Sequence, residues 1–277
     1  MTRLILLGAL LACSPAARAQ DEPAQDWDGR LTAVSGSVTL IELGGDAEGT
    51  PAAAGTPIQE GDRIRTGADS SAELALDGES VIQLGPNADF KLENMHRSET
   101  LFGLSAGTFL AKIKKLLASQ SMQVRTPTAV AAVRGTEFGV EVPYPEESHV
   151  GVFDEGKVEV KGSGGVENLI GNQETRVASD GKPAQPYQLQ RFARHRAAVR
   201  GFRRRLAVLR KGWKRLPPGA RLARRKQILE KMRARRLERL QNLKGRAGKR
   251  KDGKRAKDER DKMEKFRERI KRERGGQ

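Results

Sequence analysis

The sequence predicts a mainly β module, either a β-sandwich or a short β-solenoid of stacked hairpins. A basic α-helical C-terminal region, a helical hairpin or coiled coil, is predicted to follow it. Hydrophobic residues alternate with period two as far as residue 183 and recur with a period near 3.5 after residue 187. The charge reverses at the same place: residues 1–186 carry 16 Lys+Arg and 26 Asp+Glu, a net of −10, whereas residues 187–277 carry 36 and 9, a net of +27.

The first 19 residues have the organisation of a secretory signal peptide. A positive charge at Arg3 precedes an apolar run that is too short to span a bilayer, and a small-x-small site predicts cleavage between Ala19 and Gln20. An alternative interpretation is a lipobox, which would make Cys13 the lipidated first residue of an anchored lipoprotein. Both interpretations predict a periplasmic or otherwise extracytoplasmic protein, in which residues 20–29 link the leader to the first domain.

Residues 30–183 are predicted to form an all-β domain. Short apolar-alternating runs are separated by Gly-rich turns every eight to twelve residues, the spacing of a sandwich, a barrel or a short solenoid. Asp77-Gly78 is typical of a hairpin turn, because glycine accepts positive φ without strain. The carboxylates of Asp62, Asp77 and Asp154 lie in or beside turns, where we expect them to cap backbone groups.

Several ordered motifs in this domain resemble the FecR domain family. They lie between about residues 57 and 175: GDRIRTG (61–67), AELALDGESV (72–81), LGPNA (84–88), LSAGTF (104–109), VRTP (124–127), AVRGTEFGV (132–140), FDEGKVEV (153–160) and IGNQ (170–173).

The resemblance implies an extracytoplasmic all-β module. In the best-known members of the family it belongs to membrane-spanning anti-sigma regulators that report on outer-membrane transport. This sequence has neither a cytoplasmic sigma-binding region before the module nor a membrane span after one. We therefore expect an exported relative without direct control of a sigma factor.

The segment 187–243 is predicted to be a basic helical hairpin. An a/d heptad pattern leads to a stop at Pro217-Pro218-Gly219, and a second amphipathic stretch follows that turn. Two helices joined by so short a turn would bury their apolar faces against each other. The heptad positions are Phe192, His195, Val199, Phe202, Leu206, Leu209, Trp213 and Leu216.

Residues 244–277 are predicted to be a basic tail, partly disordered or a single helix, with a flexible Gly/Lys/Arg-rich linker over 244–257. A charge of +27 over 91 residues exceeds what solubility requires and indicates an anionic partner. The candidate contacts to that partner are Arg203, Arg204, Arg205, Arg210, Lys211, Arg224, Arg225, Lys226, Arg235, Arg236, Lys249, Arg250 and Lys251.

The sequence offers no basis for an enzyme or a cofactor. The single cysteine lies in the leader, and the three histidines are far apart, without the HExxH spacing of a zinc site. We expect His96 and His149 to be exposed loop residues and His195 to be a buried polar residue on the heptad seam. Gly-rich segments lack the strand and helix context of a phosphate-binding loop.

Three non-enzymatic functions remain open. In the first, an exported scaffold binds a protein or glycan through its β module and anionic envelope polymers or lipid surfaces through its basic helices. In the second, the protein is a cell-surface signalling or regulatory partner related to FecR-type sensors, and its β module relays a surface stimulus. In the third, the tail binds extracellular nucleic acid. The heptads also permit a homo-oligomer, and the opposite charges of the two halves permit the tail to dock on its own domain.

Overall fold

The computed structural model describes residues 26–274, with side chains described for residues 26–243, 257, 258 and 260–264. Cys13, the predicted cleavage site at Ala19 and Gln20, the leader 1–19 and most of the linker 20–29 lie outside the described residues.

The domain consists of seventeen β-strands. They are β1 Gly29–Ser35, β2 Val38–Ile41, β3 Thr50–Pro51, β4 Pro57–Ile58, β5 Arg63–Thr66, β6 Ser71–Leu76, β7 Ser80–Leu84, β8 Asp89–Met95, β9 Glu99–Lys112, β10 Ser121–Arg125, β11 Ala129–Val133, β12 Glu137–Tyr144, β13 Glu147–Val152, β14 Lys157–Gly162, β15 Gly165–Ile170, β16 Gln173–Val177 and β17 Tyr187–Gln188.

The strands form two packed layers. The covered layer has the order β4-β1-β6-β7-β9-β12-β13-β16-β17. The open layer has the order β3-β2-β5-β8-β9-β10-β11-β14-β15. All neighbours are antiparallel except β9 and β10, which are parallel. The later hairpins alternate between the layers: β10–β11 and β14–β15 lie in the open layer, and β12–β13 lies in the covered layer.

Strand β9 belongs to both layers, because its residues 99–106 pair in the open layer and its residues 107–112 pair in the covered layer. The strand crosses at Gly107, which has a φ of +85°. A Cβ at this position would lie 2.5 Å from the Cα of Ala88, so both the conformation and the space require glycine.

The core lies between the two layers and is centred on aromatic rings. The ring centroids of Phe90 and Phe102 are 5.3 Å apart, and those of Phe109 and Phe138 are 5.6 Å apart. All four side chains are fully buried. Because period-two alternation turns every second residue of each strand inward, the apolar residues of both layers meet in one cluster.

The C-terminal region folds onto this sandwich. A 3₁₀ turn, Arg191–His195, leads into α1, Arg196–Gly212, and α2 spans Pro218–Arg274. Helix α1 lies against β7 and β9, whereas the beginning of α2 lies along β3 and β4, the first strands of the two layers.

Three expectations for the helices are therefore wrong. The heptad residues of α1 pack on the covered layer rather than on the facing helix, because that layer presents its own apolar outer patch. The expected flexible linker at 244–257 is part of the continuous α2 helix. The predicted helix stop at Pro217-Pro218-Gly219 is also misplaced, because α1 already ends at Gly212 and Pro218 and Gly219 belong to the first turn of α2.

Candidate functional site

The outer side of the covered layer carries four buried glutamates, which we call the acidic face: Glu73, Glu137, Glu141 and Glu174. Their exposed fractions are between 2% and 8%. They project from β6, β12 and β16 on the side opposite the core. Burying an ionised carboxylate is costly unless it has a charged or hydrogen-bonding partner.

Arginines of the C-terminal region supply those partners. Arg205 pairs with Glu73, and the Nε of Arg203 lies 3.0 Å from Oε1 of Glu137. Arg191 and Arg194 both bind Glu141, at 2.8 and 2.6 Å.

Hydrogen bonding decides the protonation of these carboxylates. Burial acts to raise the pKa of Glu137, but hydrogen bonds from Arg203 and Lys112 hold that pKa below its ordinary value. The same balance between burial and two arginines lowers the pKa of Glu141. Glu174 accepts hydrogen bonds from the backbone N–H of Arg191, at 3.1 Å, and of Phe192, at 3.3 Å. Glu137 and Glu141 are therefore ionised and paired at neutral pH.

A socket for one aromatic ring lies in the middle of the acidic face. Gly139 of β12 and Gly151 of β13 are paired across the two strands, and the ring of Phe192 covers both. A Cβ on either glycine would approach the ring to 2.7 or 2.5 Å, closer than atoms can pack. Phe153 meets Phe192 edge to face, with 6.3 Å between ring centroids. The missing side chains on β12 and β13 therefore make the space that Phe192 fills.

Helix α2 is held by a buried ion pair. Two nitrogens of Arg225 donate to the two carboxylate oxygens of Asp62 at 2.6 and 2.7 Å, and Arg225 also donates to the carbonyl of Pro57 at 2.8 Å. The side chains of Asp62 and Arg225 are 0% and 5% exposed. Burial raises the pKa of Asp62 against the opposing effect of Arg225. Next to this pair, Leu229 inserts into the end of the core.

The connection between the helices is also bound to the domain. The guanidinium of Arg30 lies 4.3 Å from the ring centre of Trp213. The backbone N–H of Leu216 donates to Asp28 at 3.2 Å, and Arg215 lies 3.6 Å from Asp77. The contacts between the C-terminal region and the sandwich thus run from residue 189 to residue 236.

Most of the acidic face lies in a segment that matches a known protein family. The model of the family described as FecR protein matches residues 62–159. This segment is a FecR domain. It begins at Asp62 and contains three of the four glutamates of the acidic face, whereas their arginine partners follow it in the chain.

No curated protein matches the chain. Among solved structures, two crystal structures of a proposed anti-sigma factor from Parabacteroides distasonis ATCC 8503, at 1.65 and 2.50 Å resolution, each align with a TM-score of 0.42 and 20% identity. Each alignment covers 47% of this chain and 61% of that one.

The predicted anionic-partner contacts fall into three groups. Four of them bind carboxylates of the β domain: Arg203, Arg205, Arg225 and Arg236. Six others are exposed and make no ion pair with the described residues: Arg204, Arg210, Lys211, Arg224, Lys226 and Arg235. The side chains of Lys249, Arg250 and Lys251 lie outside those that the structure describes.

Two of the histidines, His149 and His195, differ from expectation, because His195 is only partly buried and lies in the 3₁₀ turn rather than on a seam between helices. His149 is a strand residue of β13 with 5% exposure, so its expected place in an exposed loop is wrong. Burial lowers the pKa of His149, although a hydrogen bond to Glu147 opposes the effect. His96 is about half exposed beside Asp26, and His195 is partly buried against Phe192. Among the described residues, no cluster of three metal-ligating side chains occurs.

The turn carboxylates have a second function that the sequence did not indicate. Asp62 accepts a backbone hydrogen bond from Gln59 at 3.0 Å, as expected of a cap, and it also binds Arg225. Asp154 binds Arg196 at 2.7 Å. The excess of arginine after residue 187 indicated that such pairs could form. The individual partners could not be predicted, because they are up to 163 residues apart in the sequence.

The outer side of the open layer remains exposed. Two adjoining grooves of about 730 and 640 Å³ cross β10, β11 and β14, and Gln123, Ala132 and Glu159 line both of them. Arg125 and Thr126, from the VRTP motif, line the larger groove. The FecR domain therefore has one face occupied by its own chain and one face open to solvent. No helix within residues 26–274 is both long and apolar enough to span a membrane.

Proposed function

We propose that this protein is a non-enzymatic FecR-type regulatory protein that acts by binding other proteins. The acidic face is its recognition surface for an Arg-rich amphipathic helix, and the segment 189–212 is the ligand bound there in cis. The observation that supports the proposal is the set of buried glutamates that form ion pairs with arginines around the Phe192 socket. Such an arrangement is complementary to a helix in both charge and shape.

The chemistry of this face makes reversible binding reasonable. Most of the arginines that bind it are more than 40% exposed on their side chains, including Arg194, Arg203 and Arg205. The glutamates are buried, so each needs a cationic or hydrogen-bonding partner, but the guanidinium groups of these arginines stay accessible to solvent. A partner helix with the same pattern could therefore replace the segment. The FecR domain supports a regulator or sensor, and the open face offers it a second surface for a protein partner.

A labelled peptide of residues 187–216 tests the proposal. The protein used is the chain from Gln20 with Phe192→Ala and Arg203→Glu, which weakens the cis segment and leaves the acidic face unchanged. The peptide should bind this variant and not the unsubstituted chain, as measured by fluorescence anisotropy. The control is the same peptide with Phe192→Ala, which should bind at least about tenfold more weakly. Equal binding to both proteins, or to neither, would contradict the proposal.

We also propose, from the leader, that the protein acts outside the cytoplasm. Fusing residues 1–30 to a reporter that is active only after export checks this point, and a Cys13→Ala fusion separates lipidation from cleavage at Ala19. An inactive reporter would remove the extracytoplasmic assignment without affecting the acidic face. Binding of glycan or nucleic acid stays a hypothesis from composition.

A further inference from the structure

Helix α2 is longer than the surface on which it docks. Its last described contacts with the β domain come from Arg233, which binds Thr50 and Glu42, and from Arg236, which binds Gly49 and Glu48. The helix continues from there to Arg274. At about 1.5 Å per residue, roughly 55 Å of helix follows the last contact.

The apolar stripe of α2 also continues past the domain. Leu240 and Leu243 lie within about 40° of Leu229 around the helix axis, at 100° per residue. Leu229 is 2% exposed in the core, whereas Leu237, Leu240 and Leu243 are 60%, 45% and 61% exposed. The side of the helix that docks on the β domain thus remains apolar where the domain has ended. Exposed leucines on one side of a helix indicate an interaction surface for a protein or a membrane.

The charge around these leucines is almost entirely positive. Residues 231–251 contain ten Lys+Arg and one acidic residue, Glu238. Two of the ten, Arg233 and Arg236, bind the β domain, and Lys231, Arg235 and Arg239 are exposed. From residue 252 to 277 the composition changes to eleven basic and seven acidic residues. The basic amphipathic part is therefore confined to the turns that follow the docked part.

We propose that residues 235–243 of α2 bind an anionic lipid surface, with Leu237, Leu240 and Leu243 inserted between head groups and the exposed Arg235 and Arg239 bound to lipid phosphates. Leucines on one side of a basic helix are the pattern of an interfacial helix, and clustered Lys and Arg on such a helix recognise anionic lipid. Nucleic acid would use the same basic residues, but its phosphate backbone gains nothing from exposed leucines. The stripe therefore favours lipid. This inference does not depend on the acidic face.

Co-sedimentation with vesicles tests it directly. The chain from Gln20 is mixed with vesicles of 30% phosphatidylglycerol in phosphatidylcholine and with vesicles of phosphatidylcholine alone. It should bind the anionic vesicles, bind the neutral ones at least about tenfold more weakly, and be released as salt is raised.

Two variants identify the site. Leu237→Gln/Leu240→Gln/Leu243→Gln should weaken binding at least about tenfold and retain its helical circular dichroism, because Gln and Leu have similar helix propensity. Arg235→Glu/Arg239→Glu should weaken it to a similar degree.

Matched controls lie on α1. Val208 is 72% exposed outside the stripe, so Val208→Gln should leave binding within about twofold. Arg200→Glu changes an exposed arginine of α1 outside the candidate contacts and should have an equally small effect. Binding that ignores the leucine substitutions, equal binding to neutral vesicles, or no binding would overturn the proposal. Tighter binding to a DNA duplex than to anionic vesicles would also overturn it.

Discussion

Replacing Arg225 with methionine should strongly destabilise this protein. The substitution keeps a long apolar side chain but removes the guanidinium that binds both oxygens of Asp62 and the carbonyl of Pro57. Asp62, which is 0% exposed, keeps only the backbone N–H of Gln59 as a hydrogen-bond donor. With Arg225 absent, only the hydrogen bond from Gln59 opposes the effect of burial on the pKa of Asp62, which rises further.

The size of the effect follows from this geometry. Breaking a buried ion pair costs about 3–5 kcal/mol because the remaining charge is left without compensation. Removing both charges should cost much less, so Asp62→Asn combined with Arg225→Met should recover at least about half of the loss. The matched control is Arg233→Met, two turns further along α2. Its side chain is 55% exposed in its pair with Glu42, so the loss should be about 0–1 kcal/mol.

Urea unfolding followed by tryptophan fluorescence measures these differences, since Trp27 and Trp213 both lie near the start of α2. Hydrogen exchange along α2 separates loss of docking from global unfolding. The reasoning is refuted if Arg225→Met and Arg233→Met differ by less than about 1 kcal/mol, or if the double variant is no more stable than Arg225→Met alone.

Three further changes test the covered layer. Gly151→Ala should displace the ring of Phe192 and cost about 1–3 kcal/mol, and unchanged stability in urea would show that the socket tolerates a side chain. Glu137→Gln removes the charge that binds Arg203 and should speed proteolysis within α1, while a cleavage rate equal to that of the unsubstituted chain would count against the ion pairs. The lowered pKa of His149 means that the unfolded chain takes up its proton first as the pH falls below about 6.5, so stability should decrease between pH 7 and 5.5. The decrease should be smaller in His149→Gln, and an identical pH profile for the two proteins would assign it to other groups.

Much of the β domain could be predicted from local sequence. The runs around Ala72 to Leu76, Val81 to Leu84 and Lys157 to Val160 are strands, because alternation and turn residues act over a few positions. Strand β11, Ala129–Val133, could not be predicted from alternation, because it consists only of alanine and valine. The full length of strand β9 could not be predicted, because Gly107 is typical of a turn, whereas in the structure it is the residue at which one strand changes layer.

The sequence alone determined that the chain has an acidic β part, a FecR-like motif set and a basic helical part, because composition, periodicity and motif order are local properties. Only the tertiary structure decided what the helices pack on. The heptad of α1 fits either a helix or a flat apolar patch, and the choice depends on Val81, Leu110 and the paired glycines under Phe192, which come together from distant strands. The partner of Asp62 was likewise decided in three dimensions, because a buried carboxylate binds the cation that the fold brings to it, however far away that residue is in the chain.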